Sequence, residues 1–183
     1  RTEQSAQRQR QLEEGLLAAM KTKRYEEITI SDLCDQMGIP RKSFYRYFSG
    51  KDGALHALID HTLSDCNTVS LMGWEGGKDL TQRHLVEFFD YWLRQKCFLD
   101  AIQTNRLRYL LLDRTTVIVD KMAKPTVPEG FARDQVAYFI AHGLMATVLR
   151  WHHYGFPCPP EEMAEAFSHI LCSPDISITR LLL

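Results

Sequence analysis

Residues 38–51 read "GIPRKSFYRYFSGK", a short stretch that interleaves basic and aromatic side chains. Its four cations are Arg41, Lys42, Arg46 and Lys51. Because no acidic residue lies between Gln36 and Lys51, the stretch carries a local charge of +4. Residues 1–63 as a whole carry ten basic and nine acidic side chains, so the positive charge of this region is concentrated in one element.

Helical geometry predicts which of these side chains are buried. At about 100° per residue, Phe44 and Phe48 lie within about 40° of each other and define a buried edge. Lys42 and Arg46 then point almost directly away from that edge. We therefore expect a short helix that two phenylalanines anchor, with its cations facing outward.

The residues just before the basic stretch predict a helix-turn-helix motif. Thr29 and Ser31 can cap a short helix, "SDLCDQM", which ends at Gly38. Pro40 suits the first turn of the next helix, where a missing N–H costs nothing. In such a motif the second helix enters the DNA major groove while neighbouring groups hold phosphates.

A run of charges is also typical of a solvated helix face. The turn, the phenylalanine anchors and the outward cations agree with one another, so we favour an anionic partner. Tyr45 and Tyr47 can direct their hydroxyl groups toward that partner. Electrostatic attraction and counterion release would supply much of the affinity for DNA.

The rest of the chain shows helical periodicity without a sustained strand pattern. Three glycines in residues 71–79 mark the expected break between two modules. Residues 131–154 read as a long helix that Gly155 caps and the following prolines end. We predict an all-α fold of about nine helices, with an N-terminal helix-turn-helix domain of three helices and a larger helical bundle.

Composition argues against several classes of protein. With 183 residues, 45% of them hydrophobic, the chain can build a core, and its net charge of −1 gives no global attraction to nucleic acid or membrane. No apolar run approaches the ~18 residues of a membrane helix. We find no phosphate-binding glycine loop and no nucleophile motif, so we predict neither an enzyme nor a cofactor.

The cysteines and histidines do not predict a metal site. Five scattered cysteines, never spaced Cys-x-x-Cys, argue against a disulfide framework or zinc and favour a reducing cytoplasm. Cys66 or Cys97 could serve as a redox sensor, although a buried, hydrophobic role is the simpler expectation. His152 and His153 are adjacent, whereas a helical metal site prefers i, i+4 spacing.

Residues 25–60 resemble the DNA-binding domain of the tetracycline-repressor (TetR/AcrR) family of transcription regulators. The matching features are Tyr25, Thr29, Gly38, Tyr45, the pair Tyr47-Phe48, and Lys51 at the start of the following helix. The resemblance implies phosphate contacts for Thr29, Tyr45, Tyr47 and Lys51. It implies base-facing positions for Arg41, Lys42, Ser43 and Arg46.

The sequence departs from the family pattern at four positions. Arg24 stands where the family often has Gly, and Cys34 where it usually has Ala. Lys42 occupies a position that is commonly small, and Pro40 replaces a usual Ser or Thr cap. Because of Lys42 and Pro40, the resemblance does not extend to an operator sequence.

The resemblance also implies two domains: residues 1–52 for DNA binding, and residues 53–183 for ligand binding and dimerisation. Residues 139–167 are similar to the last two helices of many members. Since the helix over residues 131–154 is apolar around much of its circumference, part of it needs a cover, and we expect a homodimer. The predicted interface residues are Gly143, Ala146, Val148, Trp151, Ala164, Phe167 and Leu171.

Large apolar side chains in the second module suit a small hydrophobic effector. The candidate pocket residues are Phe88, Phe89, Trp92, Tyr109, Phe139, His142 and Met145. Aromatic stripes at helical spacing are more often plain core, and His142 is more often a core histidine with satisfied hydrogen bonds. Both interpretations stay open at this stage.

The sequence therefore predicts a homodimeric, cytoplasmic transcription regulator, a repressor that binds a palindromic operator and is released by an effector. Activation stays possible, because the sign of regulation depends on operator position. The alternative is a helical adaptor of the same fold that acts through protein partners without binding DNA.

Overall fold

The computed structural model describes residues 3–66, 82–122 and 131–171. Within these ranges the chain forms nine α-helices and a single 3-10 turn, Tyr25–Glu27, without a β-strand, which confirms the predicted all-α class. The helices are α1 (Glu3–Met20), α2 (Ile30–Met37), α3 (Arg41–Tyr45), α4 (Lys51–Asp65), α5 (Gln82–Arg94), α6 (Lys96–Thr104), α7 (Arg108–Met122), α8 (Phe131–His153) and α9 (Pro160–Leu171). The predicted break at residues 71–79 lies outside the described residues.

The chain divides into two compact units. The first contains Arg1–Thr62 and Cys97–Arg108, and the second contains Leu63–Lys96 and Tyr109–Leu183. A segment from the middle of the sequence therefore belongs to the unit that carries the helix-turn-helix region.

In the first unit α1 contacts α2, and α2 contacts α3. Leu12 and Leu16 of α1, Leu33 of α2 and Ile59 of α4 are fully buried and form much of its core. The long helix α1 is also joined to α4 by a polar contact. His61 Nδ1 lies 2.7 Å from the buried Glu13 carboxylate, which in turn accepts a 3.1 Å hydrogen bond from Gln9 Nε2.

Gly15 lies at the close approach of α1 and α2. A Cβ at this position would collide with the Met37 side chain, whose sulfur packs against the glycine. Glycine inside a helix costs roughly 1 kcal/mol relative to alanine. The structure thus gives a packing reason for a residue that weakens α1 locally.

In the second unit α5 packs against α9 and α8. The buried Phe89 ring lies 5.7 Å from the rings of both Trp151 and Phe167. After α8, Gly155 adopts a left-handed conformation with φ 74°, and the Phe156 N–H donates to Trp151 O at 2.9 Å. This hydrogen bond closes the C-terminus of α8, as the glycine and prolines predict.

None of the described helices combines the length and apolar character that crossing a bilayer requires.

Candidate nucleic-acid interface

The turn between α2 and α3 is built by local capping. Thr29 caps α2: its hydroxyl oxygen accepts from Asp32 N at 3.1 Å, and Asp32 Oδ2 accepts from Thr29 N at 3.0 Å. Gly38 ends α2 in a left-handed conformation with φ 63°, which suits a residue without a Cβ. Pro40 is the N-cap of α3 rather than part of its first turn, so the helix begins one residue later than predicted.

The Asp32 carboxylate is held in its charged form. A 2.9 Å hydrogen bond from Lys23, together with those from Thr29, lowers the pKa of Asp32 to about 2. The capping box at the start of α2 therefore persists throughout the neutral and mildly acidic range.

Two phenylalanines anchor α3 in the first unit. Phe44 is 1% exposed and Phe48 is 6% exposed, which confirms the predicted buried edge. Their ring centroids lie 5.6 Å apart, and the Phe44 ring meets the Tyr45 ring edge-on at 5.9 Å. The Phe48 N–H donates to Phe44 O at 3.2 Å, so the helical turn continues past the last residue of α3.

Three of the four cations of residues 38–51 face solvent. Arg41, Lys42 and Arg46 are exposed, and within the part of the chain that the structure describes none of them pairs with a carboxylate. Ser43 is half-buried beside them. We call these four residues the basic face. Since its charges are not neutralised within the described chain, an external anion can meet them directly.

A polar groove adjoins the basic face. Its volume is about 560 Å³, and every lining side chain can donate a hydrogen bond. The lining residues are Gln4, Ser5, Gln7, Arg8 and Gln11 of α1, together with Arg46 and Tyr47. This groove was not predicted from the sequence, although the absence of any acidic residue between Glu3 and Glu13 indicates a surface of α1 without negative charge.

The predicted phosphate contacts occupy different surroundings. Tyr45 is exposed, and Tyr47 is half-buried and lines the groove. Both tyrosines are neighbours in sequence of the residues that form the basic face. Thr29 is exposed, and both its side chain and its backbone N–H interact with Asp32 in the cap, so a phosphate contact would compete with the cap.

Lys51, by contrast, is engaged within its own unit. Its ammonium donates to the carbonyl oxygens of Tyr25 at 2.6 Å and Ile28 at 2.8 Å, and reaches Glu26 O at 3.5 Å. It also lies 4.3 Å from the centre of the Tyr25 ring. A phosphate contact by Lys51 would compete with these bonds.

Tyr25 joins this cluster through its hydroxyl group, which donates to Asp52 Oδ1 at 2.5 Å. Burial, reinforced by the hydrogen bond to the Asp52 carboxylate, raises the pKa of the Tyr25 phenol well above its usual value. The tyrosine is therefore a neutral hydrogen-bond donor that fixes the start of α4 against the 3-10 turn.

The seven predicted pocket residues do not form one group in the structure. Phe88, Phe89, Trp92 and Met145 are buried. Tyr109 is 87% exposed and Phe139 is 77% exposed, so both lie on the surface of their helices in this chain. Helical spacing identified apolar positions but could not tell an inward side from an outward one on α7 and α8.

His142 is half-buried with both ring nitrogens satisfied. Nδ1 lies 2.9 Å from Tyr138 O, which accepts, so Nε2 accepts from the Thr116 hydroxyl at 3.0 Å when the ring is neutral. The Tyr138 ring stacks on it at 6.1 Å. This is the environment of a core histidine, the simpler of the two interpretations.

The predicted dimer residues fall into an exposed and a buried group. Gly143 and Ala146 are exposed, whereas Val148, Trp151 and Ala164 are buried within this chain. Trp151 packs on Phe89 and Phe156 and donates from Nε1 to Cys158 O at 3.1 Å. These three residues are thus covered within this chain, while the predicted interface itself stays a prediction.

Phe167 is half-buried against Phe89, so its free surface is small. The side chain of Leu171 lies outside what the structure describes.

The remaining candidates give no second site. Cys34 and Cys66 are buried, whereas Cys97 is exposed, so the cysteines do not share the expected buried role. His152 is buried and its neighbour His153 is exposed. In the described ranges no three or more His, Cys, Asp or Glu side chains converge as metal ligands would.

Comparison with known proteins places the fold. No protein-family model matches the sequence, and no curated protein sequence matches it. Among solved structures, the chain is similar to "Dihydroxyacetone kinase operon activator DhaS", with a TM-score of 0.57 and 18% sequence identity. The similarity covers 90% of this chain and 94% of the other. The two chains therefore share an all-helical fold over nearly their whole length.

Proposed function

We propose that this chain is a DNA-binding transcription regulator of the TetR type, in which α3 enters the major groove and the basic face meets the duplex. One observation carries the proposal. Arg41, Lys42 and Arg46 are exposed and have no carboxylate partner in the described residues, and the buried Phe44 and Phe48 hold the helix that bears them.

The charge arrangement fits a nucleic acid better than it fits solvent alone. Surface cations of a folded protein commonly pair with nearby carboxylates, as Lys23 does with Asp32 at 2.9 Å. Among the described residues the basic face has no such pairs, so no ion pair between described residues has to break when DNA binds there. Contact with phosphates would release counterions and make the affinity strongly salt-dependent.

The polar groove supports the same proposal. Its glutamine amides, hydroxyl groups and two guanidinium groups are all donors, which suits the acceptor oxygens of a sugar–phosphate backbone. We propose that the DNA backbone lies along this groove while the basic face reads base edges. Residues 1–52 would then serve as the DNA-binding domain and residues 53–183 as the regulatory domain, although residues 53–62 and 97–108 share the compact unit of the DNA-binding residues.

We propose a homodimer through the exposed face of α8. Phe139, Gly143, Ala146 and Arg150 are exposed and recur at i, i+4, i+7 and i+11, so they form one stripe along the helix. A Cβ at Gly143 would meet nothing within 4 Å, so a second helix can approach closely there. A two-fold dimer would present two copies of α3 to successive major grooves of a palindromic operator.

Charge supports a second copy as the partner for this stripe. Arg150 is exposed on α8, and Glu161, Glu162 and Glu165 are exposed on α9. We propose that, when two copies pair through the α8 stripe, Arg150 of one copy meets the exposed carboxylates on α9 of the other.

The proposal also includes the sign of regulation and an effector. The structural neighbour is named an operon activator, which supports transcription regulation as the class and leaves repression and activation both open. We retain repression and release by a small hydrophobic effector as the working mechanism, in a cytoplasmic protein. The effector would shift the population toward a spacing of the two α3 helices that does not fit DNA.

The adaptor is the second candidate, and DNA binding separates the two. The experiment measures binding of the purified protein to the duplex upstream of its own gene and to a random duplex of equal length, by fluorescence anisotropy. Arg46→Ala should lose roughly 1–3 kcal/mol on the specific duplex and little on the random one, if it reads a guanine.

Arg83→Ala is the matched control, since it removes an exposed arginine from α5, far from the basic face in sequence. It should leave both affinities unchanged. Equal losses for Arg46→Ala and Arg83→Ala, or no DNA binding by the unmodified protein at any salt concentration, would favour the adaptor.

A further inference from the structure

Asn105 is a buried polar residue that joins distant parts of the first unit. It is 4% exposed and follows directly on α6. Its side chain bonds to Tyr25, 80 residues earlier in the sequence, and to Met20, 85 residues earlier. A buried amide is costly unless its donors and acceptor are satisfied, so these partners decide what Asn105 does.

The partners use the whole side chain. Asn105 Oδ1 accepts from Tyr25 N at 2.6 Å. Nδ2 donates to Ala101 O at 2.8 Å and to Met20 O at 3.3 Å. One acceptor faces a backbone donor and two donors face backbone acceptors, so the partners fix the orientation of the amide.

The two distant partners bracket a short connection. Met20 is the last residue of α1, and Tyr25 is the first residue of the 3-10 turn that leads into α2. The carbonyl group of Met20 and the N–H group of Tyr25 are among the backbone groups that helix ends leave without intrahelical partners. Asn105 satisfies both and thereby fixes the exit of the chain from α1.

Tyr25 passes this constraint on to the helices around α3. Its carbonyl oxygen accepts from Lys51, and its hydroxyl group donates to Asp52, so the start of α4 is fixed against it. Thr29, four residues further along the chain, caps α2. Since α3 lies between α2 and α4 in the sequence, the same turn constrains the chain on both sides of α3.

The backbone next to Asn105 has an unusual conformation, which indicates that the surrounding contacts determine the position of Asn105. Arg106 adopts a left-handed backbone conformation with φ 58°, which residues other than glycine rarely adopt. Leu107 N donates to Ile102 O at 2.9 Å and closes the end of α6 around it. A strained residue of this kind persists when the surrounding contacts determine the geometry.

The segment that carries Asn105 is continuous with the second unit. Cys97–Arg108 belongs to the first unit, while the residues on either side of it in sequence, Lys96 and Tyr109, belong to the second. The polypeptide chain therefore connects both ends of the segment that holds the Tyr25 turn directly to the second unit.

We propose that Asn105 is a positioning residue for DNA binding: its amide holds the Tyr25 turn, which fixes the starts of α2 and α4 and so orients α3. This inference rests on the proposed function. It assigns to one side chain, outside the helix-turn-helix sequence itself, the task of keeping the basic face in its binding geometry.

The test compares Asn105→Ala, Asn105→Asp and the control Thr104→Ala, an exposed neighbour at the same helix end. The first readout is hydrogen exchange of the Tyr25 N–H by NMR, which needs no DNA. Asn105→Ala should exchange at least roughly tenfold faster, since the N–H loses its acceptor. Asn105→Asp retains an acceptor oxygen and should restore much of the protection, whereas Thr104→Ala should match the unmodified protein.

The second readout is affinity for the upstream duplex, corrected for the folded fraction measured by circular dichroism under the same conditions. If the binding geometry falls to about a tenth of the folded population, Asn105→Ala should bind about tenfold more weakly. Asn105→Asp should lie between Asn105→Ala and the unmodified protein, and a merely structural role would leave no deficit after the correction.

Unchanged Tyr25 exchange in a folded Asn105→Ala protein overturns the proposal, as does unchanged corrected affinity. If Asn105→Ala does not fold, Asn105→Leu, which also removes the acceptor but fills the space, decides in the same way: a corrected affinity equal to that of the unmodified protein overturns it. Failure of the unmodified protein to bind DNA refutes the proposed function and with it the positioning role, and the exchange readout then shows separately whether Asn105 holds the turn.

Discussion

Replacing Phe44 with leucine tests whether the buried rings orient α3. The ring is 1% exposed and makes two aromatic contacts, with Tyr45 at 5.9 Å and Phe48 at 5.6 Å. Each aromatic pair contributes about 0.5–1.5 kcal/mol beyond the apolar area it buries, so Phe44→Leu should lower the free energy of unfolding by about 1–3 kcal/mol. Alanine would cost about 3–5 kcal/mol, a large part of a typical domain's stability, and is less informative.

The assay measures both stability and DNA binding. Urea unfolding followed by circular dichroism gives the loss of stability, and anisotropy on the upstream duplex gives the affinity at a temperature where every variant is folded. A cost of about 1.4 kcal/mol that falls on the orientation of α3 corresponds to about a tenfold loss of affinity. We therefore expect Phe44→Leu to bind roughly tenfold more weakly or worse, although the protein remains folded.

Phe88→Leu is the matched control. Phe88 is buried in the second unit and also makes two aromatic contacts, with Phe89 at 5.1 Å and Trp92 at 6.4 Å. It should lose a similar amount of stability and keep its DNA affinity. The reasoning is refuted if both variants lose affinity equally, or if Phe44→Leu is destabilised while its affinity does not change.

Three further predictions follow from the same contacts. Lys51→Ala should lower the free energy of unfolding, measured in urea, by about 1–2 kcal/mol, because the carbonyl groups that bind its ammonium lose a charged donor. If the slope of log affinity for DNA against log salt concentration instead falls by about one, without a loss of stability, Lys51 contacts a phosphate. Because the pKa of Asp32 is lower in the folded than in the unfolded protein, its carboxylate stabilises the fold at pH values above its unfolded pKa of about 4, and this contribution should disappear as the pH falls toward about 2. Asp32→Asn should lack that part of the pH dependence of stability in urea titrations, and an unchanged profile would contradict the prediction. Ala146→Glu should convert a dimer to a monomer in sedimentation velocity, since it places a charge on the exposed α8 stripe, while Ala18→Glu on α1 should not; a dimeric Ala146→Glu protein would refute that interface.

The local features of the fold were predictable from sequence. Phe44 and Phe48 could be assigned to the buried edge because four-residue spacing places two side chains on one face of any helix. Thr29 and Gly38 were equally readable, since capping depends on neighbouring backbone groups alone. The start of α3 differs from the prediction by one residue at Pro40, which is the usual uncertainty of a helix end.

Features that depend on distant partners were not predictable. Trp151 looked available for an interface, because an apolar helix does not reveal that Phe89, 62 residues earlier, covers it. Lys51 matched a phosphate position, yet its carbonyl partners lie 23 to 26 residues earlier in the sequence. Asn105 was overlooked because nothing in its local sequence indicates hydrogen bonds to residues 80 and 85 positions away.

The central claim is that cations of the basic face bind duplex DNA, and a charge-matched pair of variants tests it most directly. The first variant combines Arg41→Ala, Lys42→Ala and Arg46→Ala. The second removes three other exposed cations, Lys21, Arg83 and Arg94, and so changes the net charge by the same amount.

The measurement is affinity for the upstream duplex over a series of salt concentrations. We predict a loss of at least about a hundredfold for the first variant at near-physiological salt, since each lost contact of this kind costs roughly 1–3 kcal/mol. The second variant should differ little from the unmodified protein. Equal affinities for the two variants would show that overall charge, rather than the basic face, governs binding, and would contradict the account.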